Sequence, residues 1–223
     1  MPEARPAGSA RCQCANAHGR CENMKWVLFD FGGVICDPPG PREAAALSGL
    51  IGVKEERFWE VYWQGRLDYD MAAVDAAGFW GGVYARLGRA AGDAPLDELI
   101  ALDLKMWSYL NSGTLDILRE LERRAVPLAL LSNAPLEMAR LIDEQPWAAV
   151  FSHRFFSADM RRAKPDPAIY QEVCERLGVS PGDVVFVDDR ADNVEAATAL
   201  GISGALFTDA ARLRADLDHL MSI

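Results

Sequence analysis

The hydrophobic positions of this chain follow two rhythms. In the first, short unbroken runs stand between turn residues: "VLF" at 27–29, "VPLALL" at 126–131 and "VVFV" at 184–187. Runs that do not alternate suit strands covered on both faces, as in a parallel sheet. In the second, hydrophobic residues recur at helical spacing, as in "TLDILRELERRA", "PLEMARLIDEQ", "ADNVEAATALG" and "DPAIYQEVCERLG", the last closed by Gly178. "AVFSHRFFS" and "SGALF" add two short strand segments, and the final "AARLRADLDHLM" sets Leu213, Leu217 and Leu220 on one face.

From Gly113 onward the two rhythms alternate, which predicts an α/β fold: a Rossmann-like parallel sheet flanked by helices with right-handed crossovers. From Pro38 to about Leu110 only the helical rhythm is present. "KEERFWEVYWQGR" reads there as one helix, with Phe58, Trp59, Tyr62, Trp63 and Arg66 along one side. The expected organisation is a catalytic core of 24–38 plus 110–223, with 39–109 as an inserted helical cap. Pro38-Pro39 and Gly113 punctuate the crossings, so hinges are expected near Asp37–Gly40 and Asn111–Gly113. Residues 1–23, rich in Ala, Gly, Arg and Pro, are expected to form a disordered tail, and Met24 just before the first strand is a natural start. Cys12, Cys14, His18 and Cys21 in this tail match no common zinc spacing.

A net charge of −10 gives no basic stripe for nucleic acid. No hydrophobic run approaches the roughly 20 residues that span a bilayer. Five cysteines, without a disulfide-like framework, fit a reducing cytoplasm. Oligomeric state is not written in these patterns.

Open α/β sheets bind ligands beyond the carboxyl ends of their strands. Asp30, Ser132, Asn133, Asp188 and Asp189 stand at such ends, and Lys164 precedes a helix near the same rim. Crowded carboxylates raise one another's pKa unless a cation is present, and Mg²⁺ suits such a set. Ser132, Asn133, Lys164 and backbone N–H groups of the turn at Gly33 then suit a phosphoryl group.

In this order the motifs resemble the haloacid dehalogenase superfamily, and the surroundings are similar to its sugar-1-phosphatases and the N-terminal domain of soluble epoxide hydrolase. The resemblance covers roughly Lys25 to Phe207. It implies Asp30 as nucleophile, "LLSN" as the phosphate-binding strand end and Lys164 as the neutralising lysine. It further implies "FVDDRADN" as the acidic motif, with Mg²⁺ at Asp30, the Gly32 carbonyl and Asp189, and Asp188 acting through water. Asn193 is placed to support the metal's waters. The activity implied is hydrolysis of a small phosphorylated metabolite, such as a sugar phosphate, through an aspartyl-phosphate. Arg66, with Trp59 and Trp63, is expected to reach the substrate from the cap.

Gly32 departs from the pattern. The resemblance places there a second aspartate that protonates the leaving oxygen and activates water, a role worth about 10²–10⁴-fold. Its absence leaves two alternatives: a metal-independent dehalogenase-type hydrolase, or a weakly active or inactive binding or regulatory module.

Overall fold

A computed structural model of the chain describes residues 24–90, 92 and 94–221. The expected tail and its Cys12, Cys14, His18 and Cys21 lie outside the described residues.

Among the described residues, five strands form one sheet: β1 (Trp26–Phe29), β2 (Leu128–Ser132), β3 (His153–Phe156), β4 (Val184–Asp188) and β5 (Ser203–Leu206). Every pairing is parallel, in the order β3-β2-β1-β4-β5. The apolar runs read as continuous because both faces are covered. Val27, Phe29, Leu128, Leu130, Val185 and Val187 point into one buried cluster. Leu28, Ala129, Leu131, Val184 and Phe186 point into another on the opposite face. This is the Rossmann-like architecture expected.

Between β1 and β2 the chain forms α1 (Pro41–Ile51), α2 (Glu55–Tyr62), α3 (Arg66–Asp70), α4 (Ala76–Arg86) and α5 (Leu96–Met106). They enclose a separate core that includes Leu47, Phe58, Tyr62, Phe79, Trp80 and Met106. The stretch expected as one helix is divided. A 3₁₀ turn over Trp63–Gly65 separates α2 from α3, and Gly65 leaves helical geometry at φ −125°, ψ 6°. Glycine carries little helical propensity, so the break falls there. It matters to the site, because it turns Trp63 outward (52% exposed) while Arg66 turns inward (6% exposed).

The remaining helices are α6 (Ser112–Arg123), α7 (Leu136–Asp143), the short α8 (Ser157–Met160), α9 (Pro167–Leu177), α10 (Ala191–Ala199) and α11 (Ala210–Met221). Gly178 ends α9 in the left-handed region (φ 69°) as its position predicts. The two crossings between sheet and helical block run side by side. Cys36 bridges Leu110 antiparallel. Asp37 N donates to Tyr109 O (2.7 Å) and Asn111 N to Ile35 O (2.8 Å). Asn111 Nδ2 also donates to the Asp37 carboxylate (2.8 Å).

Candidate active site

In chain order the strands step outward from β1 to β2 to β3, then return to the other side of β1 as β4. Reversal of strand order at β1 opens a crevice above its carboxyl end. Asp30 follows β1 directly, Ser132 ends β2 and Asp188 ends β4, so three neighbouring strands deliver them to one edge. A cleft of about 620 Å³ lies above them and includes Asp30, Gly32, Gly33, Ser132, Asn133, Lys164, Asp189 and Asn193 in its wall. All the sequence-predicted residues of the core thus stand at this edge.

Lys164 is the centre of charge. Its Nζ lies 2.7 Å from both Asp30 Oδ1 and Asp188 Oδ2, with side-chain exposures of 1%, 9% and 0% in that order. Burial works against its ammonium, but Asp30 and Asp188 more than offset this and hold it above the ordinary lysine range. Burial also drives the Asp30 carboxyl up to about 8, with Lys164 opposing and Asp188 and Asp189 adding to the rise. One lysine therefore does not settle the charge of this cluster.

Asp188 is saturated. It accepts from Lys164 Nζ, from the backbone N–H of Arg190 (2.9 Å) and twice from Asn193 Nδ2 (3.0 and 3.1 Å). Asp189 is exposed, and its carboxyl is raised by burial and then by Asp188. Oxygen atoms of Asp30, Asp188 and Asp189 all lie within 4.8 Å of one another. Gly33 makes this approach possible. It sits at φ +75°, and a Cβ there would collide with the Asp189 carboxylate. Asn193 Oδ1 is buried without a hydrogen-bond partner. Three converging carboxylates and an orphaned acceptor beside them fit a hard divalent cation and its water.

Two predicted residues that line the cleft also carry bonds within the protein. Asn133 was expected to donate to phosphate. Its Nδ2 donates to Lys164 O and its Oδ1 accepts from Lys164 N, both at 2.9 Å, so it fastens the lysine's backbone to the end of β2 and keeps one amide hydrogen free. Arg66 was expected to face the substrate. It lines the cleft, but Nε binds Asp70 Oδ1 (2.7 Å) and Nη1 binds Asp103 Oδ2 (3.0 Å). Tyr62 OH also takes Nη1. The reason is burial: an unpaired guanidinium inside the helical core would be far costlier than a paired one.

Arg66 offers one positive charge to two buried carboxylates, and Asp70 carries the excess. Burial pushes its carboxyl up to about 6, Arg66 pulls it down and Asp103 pushes it further up. The folded state thus binds a proton more tightly than the unfolded chain between roughly pH 4 and 6. Stability is lost as pH rises through that window and levels off above it. The rise from 3.8 to about 6 corresponds to roughly 3 kcal/mol. Denaturation of the protein and of Asp70→Asn across pH 4–7 is expected to show the variant gaining relative stability by up to that amount. Parallel curves would mean that Asp70 stays ionised throughout.

The sequence reading missed Trp107, which follows α5 where the chain returns to the sheet. Its ring lies against Gly32, with Cζ3 3.3 Å from where a Cβ would stand. It also missed Ser157 at the end of β3. Its Oγ accepts from Ala134 N (2.9 Å) and donates to Asp70 O (2.5 Å), joining the core to the helical block. Tyr69 OH donates to Glu137 Oε2 (3.0 Å) across the same boundary.

Residues 24–201 match the family of haloacid dehalogenase-like hydrolases. Flavin mononucleotide hydrolase 1 of Arabidopsis thaliana is 35% identical over 206 residues, covering 90% of this chain and 79% of its own length. A sesquiterpene phosphatase of Aspergillus oryzae is 27% identical over 205 residues, covering 90% of this chain and 98% of its own. A HAD family enzyme of Bacteroides thetaiotaomicron superposes with a TM-score of 0.69 at 25% identity, over 83% of this chain and 94% of that one. Its complex with magnesium and inorganic phosphate superposes at 0.67 and 24% identity, with the same coverage.

Proposed function

We infer the activity of this protein from the premise that it belongs to the haloacid dehalogenase-like hydrolase family and is a hydrolase of that kind. It is a Mg²⁺-dependent phosphatase of small phosphorylated metabolites that works through an aspartyl-phosphate on Asp30. The observation that carries this reading is the convergence of Asp30, Lys164, Asp188 and Asp189 at one sheet edge. Two relatives named as a flavin mononucleotide hydrolase and a phosphatase, and a structural neighbour solved with magnesium and phosphate, point the same way.

Asp30 and Asp189, with the Gly32 carbonyl, would hold Mg²⁺ directly, the free Oδ1 of Asn193 would hold one of its waters, and Asp188 would reach a water only by releasing one of its present donors. When bound, the ion supplies positive charge that keeps the carboxylates ionised and screens the phosphate from them. The Asp30 carboxylate then attacks phosphorus, the bond to the alcohol oxygen breaks, the phosphoryl group passes to Asp30, and the departing alkoxide takes its proton from solvent water because position 32 carries no acid. Lys164 neutralises the negative charge gathered at Asp30, and Ser132 with the N–H groups near Gly33 binds phosphoryl oxygens. Water next cleaves the acyl phosphate, releasing phosphate and regenerating Asp30. The helical block serves as the cap that closes the cleft. The buried free thiols of Cys36 and Cys174 suit a reducing cytoplasm, and among the described residues no helix is long and apolar enough to cross a membrane.

The test is a screen of phosphorylated metabolites with Mg²⁺, run beside Asp30→Asn as the blank. Phosphate release that depends on Asp30 and stops in excess chelator is expected. One observation favours a second reading: Gly32 beneath Trp107 offers no acid, as suits a leaving group such as halide that needs no proton. Halide release from a haloacid in excess chelator would establish that reading and overturn the first.

Gly32 lies outside the left-handed region, so a side chain there is not barred by its backbone. The tight neighbour is Trp107, whose ring must give by a few tenths of an ångström to admit a Cβ. Gly32→Asp alone is expected to change alkyl phosphate turnover by no more than a few-fold. Combined with Trp107→Ala, it should raise turnover by up to about 10²-fold. Equal kinetics for single and double variants would show that Trp107 is not the obstacle.

A further inference from the structure

The cleft has two ends of opposite character. Asp30, Lys164, Asp188 and Asp189 crowd the sheet edge, whereas the wall toward the helical block is mainly carbon: Trp63, Leu67, Trp107, Met138 and the Pro38-Pro39 pair, with the paired Arg66 and Asp70 among them. Trp63 and Leu67 are 52% and 50% exposed, large apolar side chains left in solvent inside a concave surface. Scattered exposed apolar residues are ordinary, but a contiguous set lining a cleft marks a binding surface.

These rings are also held in place. Trp63 stacks on Trp59 (centroids 6.0 Å apart, planes 15° apart) and meets Trp107 edge-on (6.2 Å, 77°). Trp107 gives its indole N–H to Tyr62 OH (3.3 Å), away from the cleft, and sets ring carbon against Gly32. Of the charged groups at this end, Arg66 spends Nε on Asp70 and Nη1 on Asp103 and Tyr62. A polyol placed here would meet mostly carbon and find few partners for its several hydroxyls.

Resting on the phosphatase reading, we propose that the substrate is a phosphate ester of an apolar, uncharged alcohol of about ring size or larger, not of a sugar or polyol. The phosphoryl group sits at Asp30 and Lys164. The alcohol part lies along Trp107 and Trp63, with Leu67 and Met138 at its flanks. Gly32 belongs to this design, since the absent side chain lets the indole approach the reacting end.

The test compares kcat/KM of the full chain with Mg²⁺ for four esters: 2-phenylethyl phosphate, n-octyl phosphate, glycerol 1-phosphate and glucose 6-phosphate. All four release a primary alkoxide, so leaving-group ability is nearly constant and recognition of the alcohol decides the order. One methylene in an apolar pocket already discriminates roughly 10–200-fold, so a preference of at least about 30-fold for the two apolar esters is expected. Trp63→Ala, an exposed position, should reduce that preference about tenfold, the shortfall being largest for the phenyl ester if stacking dominates. Polyol esters turned over as well as the apolar ones, with Asp30 required, would overturn this inference and leave the phosphatase reading standing. An undiminished preference in Trp63→Ala would overturn it as well. No Asp30-dependent release from these esters or from p-nitrophenyl phosphate would sink the phosphatase reading and this inference with it.

Discussion

Asp30→Asn is expected to reduce phosphate release by roughly 10⁴-fold or more, the scale on which nucleophile deletions fall. The side chain stands at the end of the central strand with Lys164 Nζ at 2.7 Å, and its Oδ1 accepts from the Phe31 N–H (2.7 Å). Asparagine keeps the shape and an acceptor oxygen but is a poor nucleophile toward phosphorus. The loss should come without unfolding. Burial raises the carboxyl of Asp30, so its negative charge is a strain on the metal-free protein that the amide removes. We therefore expect the metal-free variant to unfold at the same or higher denaturant concentration than the parent, while Mg²⁺ stabilises it less. A variant that retains more than about 1% of parental turnover would place the nucleophile elsewhere.

The second large effect is on stability. Lys164→Met removes the cation that lies between two buried carboxylates, Asp30 and Asp188. Methionine fills a similar volume, so packing is nearly kept and the charge is what changes. Breaking a buried ion pair on one side costs about 3–5 kcal/mol, because the partners are left uncompensated. Added Mg²⁺ should restore part of this, since a ligand that binds only the folded state stabilises it by mass action. The expected result in urea unfolding is a large drop without Mg²⁺ and a steeper recovery with it than the parent shows. A loss below about 1 kcal/mol would mean that Lys164 is not the neutralising partner of these two acids.

Much of the fold was legible because parallel strands buried on both faces leave unbroken apolar runs, and those runs end in the acids that matter. Asp30, Asp188 and Asp189 could be placed at one rim from strand ends alone. What was not legible depends on residues far apart in sequence. The pair Arg66–Asp70 has helical spacing, but Asp103, which completes the neutralisation of Arg66, comes 37 residues later. Nothing local announces it, so Arg66 read as a free substrate ligand. The two bonds between Asn133 and the Lys164 backbone span 31 residues. The contact that explains Gly32 joins it to Trp107, on the far side of the entire helical block. The break at Gly65 was visible as a glycine, and reading it as a stop would have separated Trp63 from Arg66 in advance.

The paired crossings between sheet and helical block have a mechanical consequence. A single strand of chain is a universal joint, free to bend and to twist. Two strands laced at Cys36–Leu110, Asp37–Tyr109 and Ile35–Asn111 form instead a strip, stiff in its own plane. Were the bonds from Ser157 to Asp70 and from Tyr69 to Glu137 released, the soft path for the block would be rotation about an axis across the strip. Along that single path Trp107, Trp63 and Asp70 travel together, so their mutual spacing is kept whatever the opening angle.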